Sequence, residues 1–233
     1  MVKSSLRRRA CVVLAVATAV ALIGCGAEPR SDASRSRGVS HAVLARISKS
    51  VSTAGCRPLA EHVKTRGTVF AVGESQALTA YHVVRSSCFA HSELTLFGGR
   101  TAVVAATSPA HGLALLHLIG DRTETALRPA RAHIGEHLAL VGYPNGRVQA
   151  RLRVTHGRVV AMNRVETLTG KAGTEVLSDA IVVSAPAARG ESGGPAIDPA
   201  GHVVGVIEGG NGYISVLTPA VDLASLRLRA RRP

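Results

Sequence analysis

An all-β fold is predicted for this chain, and three observations carry the prediction. Apolar runs of only four or five residues recur at close spacing between about Ile47 and Val206. Gly, Pro, Ser and charged residues separate them, the punctuation of strands and turns rather than of helices. Helical periodicity is sparse, the best case being 219–226, where Pro219 suits a first helical turn. At 233 residues, 46% hydrophobic and 18% charged, the chain can bury a substantial core as one large domain or two small ones.

The first residues stand outside that fold. Lys3, Arg7, Arg8 and Arg9 precede an apolar stretch at 11–23. This is the layout of an export signal, too short and wrongly flanked for a stable membrane-spanning helix. Its end, Leu22-Ile23-Gly24-Cys25, resembles the lipobox of bacterial lipoproteins. The resemblance implies removal of residues 1–24 and diacylation of Cys25, a tether to membrane lipid outside the cytoplasm. Four basic residues leave with the signal, so about +9 remains of the formal +13. Export and the lack of interleaved aromatic and basic residues argue against a nucleic-acid partner. Anionic lipid or cell-wall polymer suits the charge better.

Residues 25–45 are rich in Ser, Arg and Gly and read as a flexible stalk. The domain is expected over 46–226. Its strand-like runs are 68–72, 76–79, 93–97, 101–105, 113–116, 137–141, 150–154, 158–161, 180–183 and 202–206. Residues 227–233 form a basic tail, expected to fray. Cys56 and Cys88 are the two cysteines left after the signal. An even pair in an exported chain suggests a disulfide. It would close a loop of about 30 residues, worth roughly 3–4 kcal/mol in the chain-entropy model.

Two motifs carry chemistry. Arg189-Gly190-Glu191-Ser192-Gly193-Gly194-Pro195 surrounds a serine with glycines. Such a turn clears space around the hydroxyl and lets backbone N–H groups converge on one spot. Far upstream, Ala77-Leu78-Thr79-Ala80-Tyr81-His82-Val83-Val84 places a histidine just after a short apolar strand. Together, in that order, they resemble the trypsin/chymotrypsin superfamily of serine proteases, most closely its bacterial exported branch, over roughly 66–223. The resemblance implies two antiparallel six-stranded β-barrels with the site in the cleft between them and a short C-terminal helix. It implies Ser192 as nucleophile, His82 as base, and an oxyanion hole from the N–H groups of Gly190 and Ser192. No cofactor and no metal is expected. His133-Ile134-Gly135-Glu136-His137 approaches a metal-binding spacing, but it precedes a strand and lacks the His-Glu-x-x-His order.

The family's third residue, an aspartate opening an Asp-Leu-Ala-Leu-Leu strand, is absent. Ala110-His111-Gly112-Leu113-Ala114-Leu115-Leu116 keeps the strand and has Gly112 at the acid's position. Loss of that carboxylate's role costs about 10⁴-fold in turnover. Three readings stay open: a fold kept for binding, a slow Ser-His dyad, or another residue orienting His82. His111 is adjacent, but neighbouring strand residues face opposite sides. The stretch Val203-Val204-Gly205-Val206-Ile207-Glu208-Gly209-Gly210 resembles the cleft-lining strand, whose polar position lies beside the triad acid in relatives. Glu208 is therefore expected to replace the acid, with a carboxylate oxygen about 2.6–3.2 Å from a His82 ring nitrogen. The alternative turns Glu208 toward solvent to bind a basic group. Gly112→Asp is expected to raise hydrolysis.

By the same resemblance, Pro186 and Ala187 floor the specificity pocket and Gly209 and Gly210 line the cleft. The pocket offers no carboxylate, so a small or apolar side chain is expected there. Arg189 is a candidate partner of Glu191. The resulting expectation is a lipid-anchored, extracytoplasmic serine endopeptidase of reduced or unusual activity acting on a peptide or protein, with a monomer as the default and its oligomeric state left open. The alternative is a catalytically silent protease-fold module that binds a peptide or envelope partner.

Overall fold

The computed structural model describes residues 38–56, 65–85, 94–96, 100–120, 125–146, 151–170 and 173–230. Cys25, the export signal and Cys88 lie outside them, and Cys56 is described by its backbone alone, so lipidation and the disulfide are outside what the structure describes.

The first six strands are β1 (Val51–Cys56), β2 (Thr65–Gly73), β3 (Gln76–Ala80), β4 (Leu94–Leu96), β5 (Thr101–Ser108) and β6 (Leu113–Ile119). They form one antiparallel sheet in the ring order β1-β2-β3-β6-β5-β4. Only two residue pairs, Ala54 with Leu96 and Gly55 with Thr95, join its ends. The second sheet holds β7 (His137–Gly142), β8 (Arg153–Gly170), β9 (Gly173–Val183), β10 (Pro195–Ile197), β11 (Val203–Gly210) and β12 (Ser215–Pro219). Its ring order is β10-β11-β12-β9-β8-β7.

The all-β class needs correction, because helices build part of the fold: α1 (His41–Ser48), α2 (Tyr81–Val84), α3 (Leu223–Ala230) and several 3₁₀ turns. The fold is a mixed one, helices with two antiparallel sheets. Helix α1 begins in the stretch whose composition reads as a stalk. Ser40 caps it, its hydroxyl accepting from Val43 N–H at 3.4 Å, and Ile47 is completely buried, worth about 1.5–3 kcal/mol. Helix α3 runs four residues past the expected end. Arg227 does not fray: its guanidinium donates to Gln76 Oε1 at 2.9 Å and to the Val72 carbonyl at 2.7 Å.

Aliphatic side chains make the core. One cluster joins Ile47, Phe70, Leu78 and Leu115 of the first half to Val141, Ile197, Leu223 and Leu226 of the second. Two further clusters fill the sheets themselves. Chain segments from both sheets thus meet in one packed region, and the candidate site lies where they meet.

Candidate active site

Strand β3 runs almost entirely buried into α2, a single helical turn. Val83 and Val84 anchor that turn at 1% and 2% exposure, and Tyr81 N–H donates to the Gly112 carbonyl at 2.5 Å. His82, between them in sequence, is left partly exposed. Its Nδ1 lies 3.3 Å from Glu175 Oε2 and 3.5 Å from Glu208 Oε2. Glu208 comes from β11 and Glu175 from β9. The side chain of Glu208 is fully buried and that of Glu175 nearly so. Burial pulls the His82 imidazole down, but the hydrogen bond to Glu175 and the nearby charges of Glu175 and Glu208 outweigh it and raise the ring to about 9. Burial raises Glu208 to about 7 against the opposing pull of His82. The three side chains offer donor atoms all within 4.8 Å of one another.

Gly112 explains how Glu208 fits. It adopts φ +62° at the end of a 3₁₀ turn. A Cβ there would lie 2.7 Å from Leu177 Cδ2, 2.9 Å from Glu208 Cδ and 3.0 Å from Glu208 Oε2. The longer acid occupies the space that a side chain at 112 would need.

The Ser192 loop docks across the junction of the sheets. Thr68 N–H donates to the Ser192 carbonyl at 2.8 Å, and Thr68 Oγ1 donates to the Gly190 carbonyl at 2.8 Å. Gly193, at φ +87°, packs so tightly that a Cβ would sit 2.1 Å from the Thr68 carbonyl oxygen, a position open only to glycine. The amides of Glu191, Gly193 and Gly194 donate to Ala188, Ile207 and Glu191 carbonyls. Those of Gly190 and Ser192 make no hydrogen bond among the described residues. The Ser192 hydroxyl donates to the Glu208 carbonyl at 3.1 Å.

Residues 67–206, more than half of the chain, match the trypsin-like peptidase domain family. The chain belongs to that family. As a trypsin-like peptidase domain it has the serine-protease fold of the trypsin clan. It resembles the Rv3671c protease of M. tuberculosis in its active form, with a TM-score of 0.68 and 22% identity over 84% of this chain and 89% of that one. It also resembles the HtrA-type protease AlgW with a tripeptide (TM-score 0.64, 22% identity, 80% of this chain and 61% of that one) and Deg5 (0.63, 20%, 79% and 90%). At these identities the likeness is one of fold. An uncharacterised protein of Sinorhizobium fredii is 32% identical over 146 residues. That match covers 60% of this chain but 21% of the relative, so the chain spans about a fifth of that curated relative.

In this trypsin-like domain Glu208 faces His82, but at 3.5 Å it lies outside the tight hydrogen-bond range expected of it, and the Ser192 hydroxyl bonds the Glu208 carbonyl rather than the ring. Glu175 is the nearer carboxylate, and motif reading missed it. The signal available was register: Glu175 is in phase with buried Leu177, while Val176 between them is 57% exposed. An acid in the buried phase of a strand needs a partner. Pro186 and Ala187 are half-buried beside Ala185, whose carbonyl accepts from Ser215 Oγ at 2.6 Å. Gly209 is half-buried and Gly210 exposed.

The expected pairing of Glu191 with Arg189 is replaced by one with Arg153. Its Nε donates to Glu191 Oε1, and its Nη2 donates to Glu191 Oε2 at 2.7 Å and to the Pro186 carbonyl at 3.1 Å. Glu191 is 3% exposed and also accepts from Ala188 N–H, so the pair braces both the serine loop and the expected pocket wall. Arg153→Met should leave a buried uncompensated carboxylate. The cost should be about 3 kcal/mol, the low end for such a loss because the Arg153 side chain is 36% exposed. Thermal unfolding should show a fall of roughly 6–12 °C. Glu191→Gln added to Arg153→Met should recover part of it, and an unshifted Tm in Arg153→Met would refute the bracing role.

Proposed function

We propose that the chain is an exported serine endopeptidase, tethered to membrane lipid through Cys25, in which His82 is held by two carboxylates in place of the missing aspartate. The single observation that carries this reading is the convergence of Glu175 and Glu208 on His82 Nδ1 beside a serine whose loop leaves two backbone N–H groups uncommitted. Glu175 and Glu208 orient the ring and stabilise the imidazolium. In its neutral form, which is favoured as pH rises toward about 9, His82 accepts the Ser192 proton at Nε2 as Ser192 Oγ attacks a peptide carbonyl, and the Gly190 and Ser192 amides receive the oxyanion. To reach His82, the Ser192 hydroxyl leaves the Glu208 carbonyl by rotation about χ1. The pocket floored by Pro186 and Ala187 takes a small or apolar side chain. The fold match to the HtrA-type protease AlgW, solved with a tripeptide, supports a peptide substrate, and the export-signal layout of residues 3–25 supports an extracytoplasmic setting.

A second reading, a catalytically silent module that binds a peptide or envelope partner, is favoured by one observation: Ser192 Oγ is hydrogen-bonded to a backbone carbonyl and not to His82. Labelling with a serine-reactive fluorophosphonate separates the two. The wild-type chain should label and Ser192→Ala should not. Folded wild-type protein that resists the reagent would establish the silent module.

A further inference from the structure

Orienting one imidazole takes one carboxylate, and this site brings two. Neither oxygen of Glu208 and not Oε1 of Glu175 has a hydrogen-bond partner among the described residues, although Glu208 is completely enclosed. Two carboxylates so enclosed, with one imidazole between them, are costly. The separations of 3.3 and 3.5 Å from His82 Nδ1 exceed the roughly 2.7–2.9 Å of a charge-assisted hydrogen bond. They coincide with the edges of a tetrahedron of ligands around zinc. Metal–nitrogen bonds of about 2.0–2.1 Å and metal–oxygen bonds of about 2.0–2.2 Å place neighbouring donor atoms about 3.3–3.5 Å apart.

We propose that His82 Nδ1, Glu175 and Glu208 bind a divalent transition-metal ion of the zinc type, and that this ion reversibly silences Ser192. One imidazole and two carboxylates, with a fourth position for water, suit zinc and its neighbours. Calcium and magnesium favour all-oxygen shells. The three donors come from α2, β9 and β11, so the ion also ties the two sheets together. The ion bonds the Nδ1 lone pair of the neutral ring, and the ring's single proton moves from Nδ1 to Nε2 by exchange with solvent. Nε2, the atom that must accept the proton of Ser192, then carries that proton, and the base is blocked. The metal site stands on geometry alone, whereas the silencing rests on the hydrolase reading above.

The test uses the full chain stripped with a chelator, with Zn²⁺ as the probe. Calorimetry should show one site per chain at His82. Glu175→Gln and Glu208→Gln should each weaken it by more than about tenfold without lowering the metal-free Tm. Co²⁺ in the wild-type chain should give the intense visible bands of a tetrahedral centre, a readout that needs no variant. Fluorophosphonate labelling of Ser192 should disappear with Zn²⁺ and return with chelator. Absence of binding, binding indifferent to both Gln variants, or the weak spectrum of six-coordinate Co²⁺ overturns the site. Binding that leaves labelling intact overturns the silencing. A confirmed site in a chain that never labels, metal-free or loaded, upholds the ion and sinks the hydrolase reading instead.

Discussion

Replacing Glu175 and Glu208 together by Gln should lower Ser192-dependent turnover by about 10⁴-fold, the cost of losing the acid of a Ser-His-acid triad. Each single replacement should cost less, because the remaining carboxylate still faces Nδ1. Glu175→Gln should be the more damaging single change. Its oxygen is the nearer to Nδ1, at 3.3 Å against 3.5 Å. The loss should fall on kcat with KM little changed, since both acids act through the ring of His82 and not on the ground-state substrate. Stability should not follow the activity: an amide avoids the cost of enclosing a carboxylate whose one charged neighbour lies 3.5 Å away and is also held by Glu175, so Tm should hold or rise in Glu208→Gln. A double variant within about tenfold of wild-type kcat would eliminate both residues as the acid.

Gly112→Asp, the substitution that returns the carboxylate to its usual place in the family, should destabilise the protein and not rescue it. This reverses the expectation from sequence, and the reason is space. Asp at φ +62° carries about 1 kcal/mol of left-handed strain. Its Cβ would press on Leu177 Cδ2 and on the Glu208 carboxyl, and overpacking of this kind costs about 1–3 kcal/mol. Two carboxylates in one buried space repel. A loss of roughly 3 kcal/mol or more should appear as a fall in Tm of about 6–12 °C. Adding Glu208→Ala removes one of the two obstructions and should recover part of the loss, a coupling that a thermodynamic cycle can measure. Full stability in Gly112→Asp alone would mean that Glu208 does not fill the vacated position.

His82 and Ser192 were legible because each sits in an unbroken motif, where glycines and an apolar strand are required by local geometry. Glu208 was legible because it interrupts an apolar run just before two glycines. Glu175 and Arg153 were not. Each meets its partner across many residues of chain, with no local spacing to announce it, and only strand pairing brings β8 and β9 to the site. The fold shows the same division. Long aliphatic runs such as β6 and β7 were plain. Strands β1, β10 and β12 were missed: one is rich in Ser, Thr and Gly, and the others are short and begin or end at proline. Helix α1 was hidden by Ser- and Arg-rich flanks, although its Ser40 cap is visible in retrospect.

The grip of Arg227 on Gln76 and Val72, with Leu226 fully buried beneath it, gives the chain an order of assembly. The hairpin of β2 and β3, which delivers His82, is synthesised early, yet a residue near the far end of the chain completes its hydrogen bonding and its packing. A chain whose last helix has not docked therefore holds the histidine on an unfinished support. The candidate site is complete only once α3 has docked on that hairpin.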